Sequence, residues 1–594
     1  MKASDQQWGL VPHPGGVAAS IWAPSAHEVS VAVEGRPVVP MQASGGGWFT
    51  AEVPGAWPGD RYRLVADGKP VPDPASRFQP EGAEGPSEIV DGDAYAWRCT
   101  DWTGRPWAET VLYELHVGTF SAAGAFLGAI PHLDHLAALG VTMVELMPVA
   151  TCPGRRNWGY DGVLLFAPDR NYGRPEDLKR LIDECHLRGM SVILDVVYNH
   201  FGPLENWLHH YAGSFFTDRH TTPWGPAINF DGASGAAVRG FYAQNMRQWL
   251  HDYRFDGLRL DAVQAIVDDS TPHILDELAT RARADAPGRL LHLTLENDFN
   301  EARWLEGDPA GYDGQWNDDF HHVLRVLMTG EADGYYEDYA DNPADSLGRA
   351  LTQGFSYQGQ ESRHRPGMMR GTPSGHLPPT SFINFVQNHD QVGNSLYGQR
   401  LTRLAPPDAV RLGTAVLLLS PGIPMLFMGQ EWASARPFDF FCDFQEPLAG
   451  QVREGRRGEF KRFKAFQTEA ALAKLADPNA ASTRDASVLD WDAVGAPTHA
   501  EWLAFHRELL RVRREVVVPL LGGMGGHAGS YRVLGPGAVE ASWASGGTTL
   551  RLAANFSGTA VEYLESAAEP TFRVGAALPG QLAPWGLVLT VTPA

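Results

Sequence analysis

PEDLKRLIDECHLRGMSVILDVVYNH, residues 175–200, decides the fold, because it reads as an amphipathic helix running straight into a buried strand. Pro175 sits at the first turn, where its missing N–H costs nothing, and Glu176 and Asp177 lie at the positive end of the helix dipole. Leu178, Leu181, Ile182 and Cys185 then recur at i, i+3, i+4 and i+7, so one face is apolar. Gly189 stops the helix, and SVILDVV (191–197) follows without alternation. A continuous apolar strand is covered on both faces, as in a parallel sheet packed by helices. The strand then ends abruptly in polar groups, Asp195, Asn199 and His200.

The same unit repeats in both directions. Upstream, VLYELHV (111–117) is strand-like, Pro131 to Leu139 is a helical pattern stopped by Gly140, and VTMVELMPV (141–149) is a second buried strand. Downstream, helix 236–253 leads to strand Gly257–Leu260, and helix 273–284 leads to strand Leu291–Leu295. Gly314–Trp316 supplies a short sixth strand, SFINFVQ (381–387) a seventh, and Pro424–Met428 an eighth after helix 408–419. Eight such strands with intervening helices predict an α/β protein, a (β/α)8 TIM barrel over 101–516, closed by a helix at Glu501–Val516. The stretches 199–235 and 331–380 are expected to be loop elaborations of its rim.

Two zones flank the barrel. Residues 1–100 hold short β-rich runs (Val29–Val33, Trp48–Val53, Tyr62–Ala66) separated by glycine turns, which predicts an N-terminal β-sandwich domain. A Pro- and Gly-rich passage, Val71 to Asp93, reads as the link to the barrel. From 517 to 594, Thr548–Ala553 and Leu587–Val591 read as a C-terminal β-sandwich-like domain.

Composition narrows the function. Among 594 residues, 48 Lys+Arg against 70 Asp+Glu give a formal net charge of −22, which opposes docking on phosphate backbones or anionic lipid. No nucleic-acid partner and no membrane partner is expected. Cys99, Cys152, Cys185 and Cys442 show no CxxC pair, so reduced thiols are expected in place of a disulfide framework or zinc site. The opening residues MKASDQQWGLVPHPGG lack the apolar stretch of a secretory signal, so the cytoplasm is the expected compartment. Nothing in the pattern sets an oligomeric state, and a monomer is the working expectation. The basic stretch Arg453–Lys464 is interleaved with Glu454 and Glu459 and reads as a solvated face.

Polar groups at the C-terminal ends of barrel strands converge on one mouth. Here DVVYNH, GLRLDAV, LTLEN and FVQNHD bring Asp195, Arg259, Asp261, Glu296, His389 and Asp390 to four such ends. One strand-end Asp is often a helix cap, but several carboxylates crowded on one rim with an Arg point to chemistry. Arg259 and Asp261, two apart on a strand, leave the same face, so the guanidinium holds Asp261 ionised, as a carboxylate nucleophile requires. Glu296, one strand over, feels that negative charge and is expected to keep its proton near neutral pH. This is the acid and nucleophile pairing of a glycosidase. Asp390 is expected to stabilise positive charge at the anomeric carbon, with His200 and His389 donating to sugar hydroxyls and Tyr160 stacking on the ring.

The four motifs, in this order and on these strands, resemble the four signature regions of the α-amylase family of glycoside hydrolases and transglycosylases, over residues 105–515. The resemblance implies a retaining double displacement with Asp261 as nucleophile, Glu296 as general acid then base, and Asp390 as transition-state stabiliser. Within the family, DPASRFQPEGAEGPS (73–87), YELHVGTFS (113–121), QWNDDFHHVLRVLMTGE (315–331) and GYYEDY (334–339) are similar to passages of the members that release trehalose. That implies hydrolysis of the α-1,4 bond next to the terminal trehalose of maltooligosyl-trehalose, with related α-glucans as further substrates. The alternative is a 1,4-α-glucan branching transglycosylase, which shares the front sandwich and YELHVGTFS. Trehalose selection is expected from loops on the leaving-group side, with Trp224, Trp316, Asp318 and Asp319 as candidates, although the two Asp also suit the start of a helix. No calcium-type spacing of oxygen ligands is evident, so neither metal nor cofactor is expected.

Overall fold

The computed structural model describes residues 7–307, 311–461, 463–564 and 568–593. Eight parallel strands close into one barrel: β1 (Leu112–Leu115), β2 (Met143–Leu146), β3 (Ser191–Val196), β4 (Gly257–Leu260), β5 (His292–Leu295), β6 (Gly314–Trp316), β7 (Phe382–Phe385) and β8 (Ile423–Phe427). They pair in chain order, and β8 returns to β1. Around them run α1 (Leu133–Leu139), α2 (Pro175–Leu187), α3 (Gly235–Arg247), α4 (Ile274–Asp285), α5 (Asp318–Thr329), α6 (His389–Gly393), α7 (Pro407–Leu419), α8 (Leu448–Phe460) and α9 (Pro497–Val512).

In α2 the Asp177 carboxylate accepts from the Arg174 backbone N–H at 2.9 Å, and Leu178, Leu181, Ile182 and Cys185 are all buried. The apolar stripe therefore faces the barrel, as the spacing requires. Inside the cylinder, Leu112, Met143, Ile193, Ile383, Ile423 and Met425 form a closed apolar plug with Trp316 and Phe385. The plug is a floor. The buried polar residues Glu114, Glu145 and Arg259 stand in the layer above it.

In front, one antiparallel sheet (Gly9–His13, Gly16–Trp22, Trp48–Pro54, Gln42–Gly45) faces a second built on Val29–Val33 and Arg61–Ala66. Trp8 joins this layer to the barrel: its ring meets Phe241 edge-on at 5.0 Å, and its backbone exchanges two hydrogen bonds with the Gln244 side chain. Behind, Ala538–Ser545 and Thr548–Asn555 are central strands of a sheet that lies on the helix Pro343–Gln353, where Trp543 Nε1 donates to the Leu351 carbonyl at 3.2 Å.

Some elements differ from the sequence reading. The helix expected over 236–253 ends at Arg247 and continues as a wider π turn, Gln248–Asp252. The last barrel helix begins at Pro497, not Glu501, again with proline in the first turn. The stretches 199–235 and 331–380 are folded, the first around a hairpin (Phe216–Thr222 with Gly225–Ile228), the second around the helix Pro343–Gln353. Among the described residues no helix is long and apolar enough to cross a membrane, and all four cysteines are free.

Candidate active site

Arg259 organises the rim. It stands on β4 level with Asp195 of β3 and Thr294 of β5, fully buried, with its guanidinium 4.0 Å above the ring of Trp316. Its Nη1 donates to Asp195 Oδ2 at 2.7 Å and to Asp261 Oδ1 at 2.8 Å. Its Nη2 lies 2.9 Å from Glu296 Oε2, but off the line a hydrogen bond needs, so that contact is electrostatic. Burial works against the charge of Arg259; the surrounding carboxylates, led by Asp195, overcome it and hold the cation firmly protonated.

The two acids around this cation are set in opposite directions. For Asp261, burial favours the neutral form, but Arg259 and a 2.8 Å hydrogen bond from Asn199 Nδ2 outweigh it, and its pKa is lowered. For Glu296, burial is again the largest influence, and Asp261, Asp390 and Asp318 add to it against the pull of Arg259, so its pKa is raised well above the usual carboxylate range. Between them Ala262 takes a left-handed backbone, φ 40°, which aims its N–H at Glu296 Oε2 at 2.9 Å. A non-glycine residue in that conformation is strained, and such strain collects at functional sites.

Behind the acids sits a second charged pair. His389 is buried, and its Nδ1 pairs with Glu114 Oε1 of β1 at 2.5 Å while its backbone N–H donates to Glu114 Oε2 at 3.0 Å. Burial would lower its pKa; the charges of Asp390 and Glu114 reverse this and push it up to about 9. A histidine raised in the fold stabilises it fully below its unfolded pKa of ~6.5, and the contribution is lost as pH rises through the folded value. The melting temperature is therefore expected to drop on crossing pH about 9. His389→Gln should lack that step, and identical curves for the two proteins would contradict the pairing.

Two cavities meet over these groups. One, of about 570 Å³, is lined by Tyr160, His200, Trp224, Asp261 and His389. The other, of about 450 Å³, is lined by Asp318, His322, Tyr335, Arg365 and Arg370. Glu296 and Asp390 line both, as do Asn394, Arg456 and Glu459. Asp390 is the second residue of α6, whose cap is Asn388 Oδ1 accepting from the Gln391 N–H at 2.8 Å.

The remaining expected site residues divide. Tyr160 donates to Asp195 Oδ2 at 2.7 Å and stacks on His389 with centroids 5.0 Å apart. His200 is gripped by the Tyr160 carbonyl at 2.9 Å and lies flat against Trp224, 4.2 Å between ring centres. Trp224, at the hairpin turn and half exposed, therefore belongs with the Asp261 cavity and not with the loops on the other side. Trp316 ends a barrel strand as expected, but it does not select trehalose: it is 1% exposed, forms the floor beneath Arg259 and has no face for a sugar. Asp318 begins α5 and lines the second cavity, where burial, then Asp298, raises it to about 7.

Asp319 has a different part. Fully buried, it accepts from Asn300 Nδ2 (3.0 Å), the backbone N–H groups of Ser356 (2.8 Å) and Tyr357 (2.9 Å) and the Tyr339 hydroxyl, and pairs with Arg370 (3.1 Å). It ties the long excursion 331–380 to the barrel. Removing it leaves the buried Arg370 with only the longer 3.4 Å ion pair to Asp298 and unpairs the Asn300, Ser356 and Tyr357 N–H groups, so Asp319→Ala should cost about 3–5 kcal/mol of stability. A melting point within a degree or two of the parent would refute that.

The helix α8, whose interleaved charges suggest a solvated face, also borders the site. Val452, Gly455, Arg456, Glu459 and Phe460, at i, i+3, i+4, i+7 and i+8, turn one face of this helix to the cavities. The solvated-face reading holds only for the opposite side, where Glu454 and Arg457 are exposed. The helical spacing was the available signal. For a metal, the described residues bring His220, Asp231 and Asp269 together, but Arg219 already pairs with Asp231. Turnover is expected to survive exhaustive chelation; a lasting loss restored by calcium would overturn this.

Residues 88–224 match the model of the α-amylase catalytic domain. Over 518 residues the chain is 43% identical to a malto-oligosyltrehalose trehalohydrolase of Deinococcus radiodurans, covering 85% of this chain and 83% of that one. Another protein of that name, from Saccharolobus solfataricus, is 38% identical over 506 residues, 84% of this chain and 85% of the relative. A branching enzyme of Salinibacter ruber is 34% identical but covers only 44% of this chain and 47% of its own. A crystal structure described as a putative α-amylase from Salmonella typhimurium superimposes with a TM-score of 0.94 at 42% identity over 99% of both chains.

Proposed function

Because the chain belongs to the α-amylase family, and within it to the malto-oligosyltrehalose trehalohydrolases, we propose that it cleaves the α-1,4 bond next to the terminal trehalose of maltooligosyl-trehalose. The products are free trehalose and a shortened maltooligosaccharide. Asp261 attacks the anomeric carbon as Glu296 gives its proton to the glycosidic oxygen, and trehalose departs. Glu296, now a carboxylate, takes a proton from water, which attacks the glycosyl ester and frees Asp261. Asp390 faces the positive charge that develops in each step.

The observation that carries this reading is the single guanidinium between two acids held in opposite protonation states. Adjacent nitrogens of one planar group reach both carboxylates. That closeness suits retention, which uses carboxyls ~5–5.5 Å apart, better than inversion, which leaves room for a water between them. Asp261 lines only the larger cavity, which takes the maltooligosyl chain, with Tyr160 and Trp224 as aromatic plates. The smaller cavity lies beyond Glu296 and takes the trehalose, among Asp318, Arg365 and Arg370.

A digest of end-labelled maltooligosyl-trehalose tests the proposal. Free labelled trehalose is the expected product. New α-1,6 linkages formed from amylose would instead establish the branching transglycosylase, in which a sugar hydroxyl replaces water. Binding with no turnover would establish a catalytically dead barrel.

A further inference from the structure

We infer that Arg456 is a positioning residue that fixes Asp390 across the point of cleavage, acting from α8 through Asn394. The inference rests on the reading that Asp390 stabilises the transition state.

Arg456 stands at the seam of the two cavities and lines both. Its guanidinium is wedged between Phe440, 5.2 Å from the ring centre, and Phe460, 4.9 Å from the ring centre. Nη1 donates to Asn394 Oδ1 at 2.6 Å, and Nη2 donates to the Gly393 carbonyl at 2.9 Å. Both acceptors belong to the end of α6, the short helix that carries Asp390. Asn394 in turn binds Asp390 twice: its backbone N–H donates to the Asp390 carbonyl at 2.8 Å, and its side-chain amide reaches Asp390 Oδ1 at 3.5 Å.

Polarity makes the relay directional. With its oxygen engaged by Arg456, the Asn394 amide must turn its NH₂ towards Asp390, so the guanidinium sets which way the amide faces. A short helix of five residues has little rigidity of its own. On its other side it is wedged, since a Cβ at Gly393 would lie 2.1 Å from the Trp158 ring. Trp158 and Arg456 thus hold α6 from two directions, and only the second hold is polar and adjustable. Asp390 itself is partly open to the cavity, its side chain 39% exposed, with His389 Nε2 at 3.4 Å as its other polar neighbour. Without Arg456 the Asn394 side chain is held towards Asp390 by the long 3.5 Å contact alone, and the carboxylate loses its aim at the anomeric carbon. An error of about 1 Å in such a group costs about 100-fold in rate.

The test is kinetic, on the full-length enzyme with maltooligosyl-trehalose. Arg456→Ala should lower kcat about 100-fold, with KM for the oligosaccharide changed far less. Lysine carries one ammonium and cannot make the forked pair of bonds, so Arg456→Lys should recover only part of that loss. Free guanidinium at millimolar level should restore turnover to Arg456→Ala and leave Asn394→Ala unaffected. The same Arg456 change added to Asp390→Asn should cost little more, because the two act in one unit. Arg456→Ala at wild-type kcat would overturn the inference, as would full additivity with Asp390→Asn. Should Arg456→Ala fail to fold, Arg456→Lys and Asn394→Ala decide it, and wild-type kcat in both is fatal. If Asp390→Asn itself remains active, the assigned role of Asp390 fails, a different result from failure of the relay.

Discussion

The Asp261→Asn enzyme should turn over at least ~10⁴-fold more slowly than the parent while still binding oligosaccharide. The change keeps the shape of the side chain and removes the nucleophilic oxygen. Binding should survive because the cavity walls, Tyr160, His200 and Trp224, do not depend on Asp261 for their mutual contacts. The Arg259 guanidinium keeps Asp195 as a hydrogen-bonded anion, so the fold should tolerate the loss. The wild-type acid limb has the same origin: Asp261, held below the usual carboxylate range, must be ionised to attack. As pH falls through its lowered pKa, kcat/KM should decline. A variant with near-parental turnover would remove Asp261 from the mechanism.

Glu296→Gln should be nearly as damaging on the natural substrate, a loss of about 10²–10⁴-fold or more, because the departing sugar needs a proton. A maltosyl donor with a good leaving group, such as a fluoride, needs no acid to depart. With it the variant should form the glycosyl enzyme and then stall, since no base activates water. The pH profile offers a second reading. Glu296 must be protonated for the first step and its pKa is raised, so it sets the alkaline limb of the wild-type profile. That limb should vanish in Glu296→Gln. In Asp390→Asn the alkaline limb of the residual activity should move to lower pH, because one of the carboxylates that raises Glu296 is gone. An unchanged limb in both variants would show that another group carries the proton.

Much of the site was legible in the chain because its four clusters lie on strand ends, and strands announce themselves locally. Asp261 and Arg259 are two residues apart, so the period of a strand already places them side by side. Glu296 required only that strands four and five be neighbours, which chain-order pairing in a barrel supplies. Trp316 misled for the complementary reason. The strand Gly314–Trp316 is readable, but not that its last residue turns its ring inward beneath Arg259 and away from any sugar. The basic stretch at 453–464 is readable as a helix face, but charge interleaving masks the four positions in it, Gly455, Arg456, Glu459 and Phe460, that look into the cleft.

By itself, the sequence determined the alternation of helix and strand, the closure into a barrel with its two β-rich flanks, and the acids at the mouth. These follow from periods of two and 3.6 residues and from turn chemistry, all short-range properties of the chain. Only the tertiary structure decided that Glu296 lies between two cavities while Asp261 faces one, that Asp319 anchors the long excursion, and that Arg456 reaches Asn394. Those relations join residues far apart in the chain, and no local pattern encodes a contact whose partners are brought together only when the barrel closes and its loops pack.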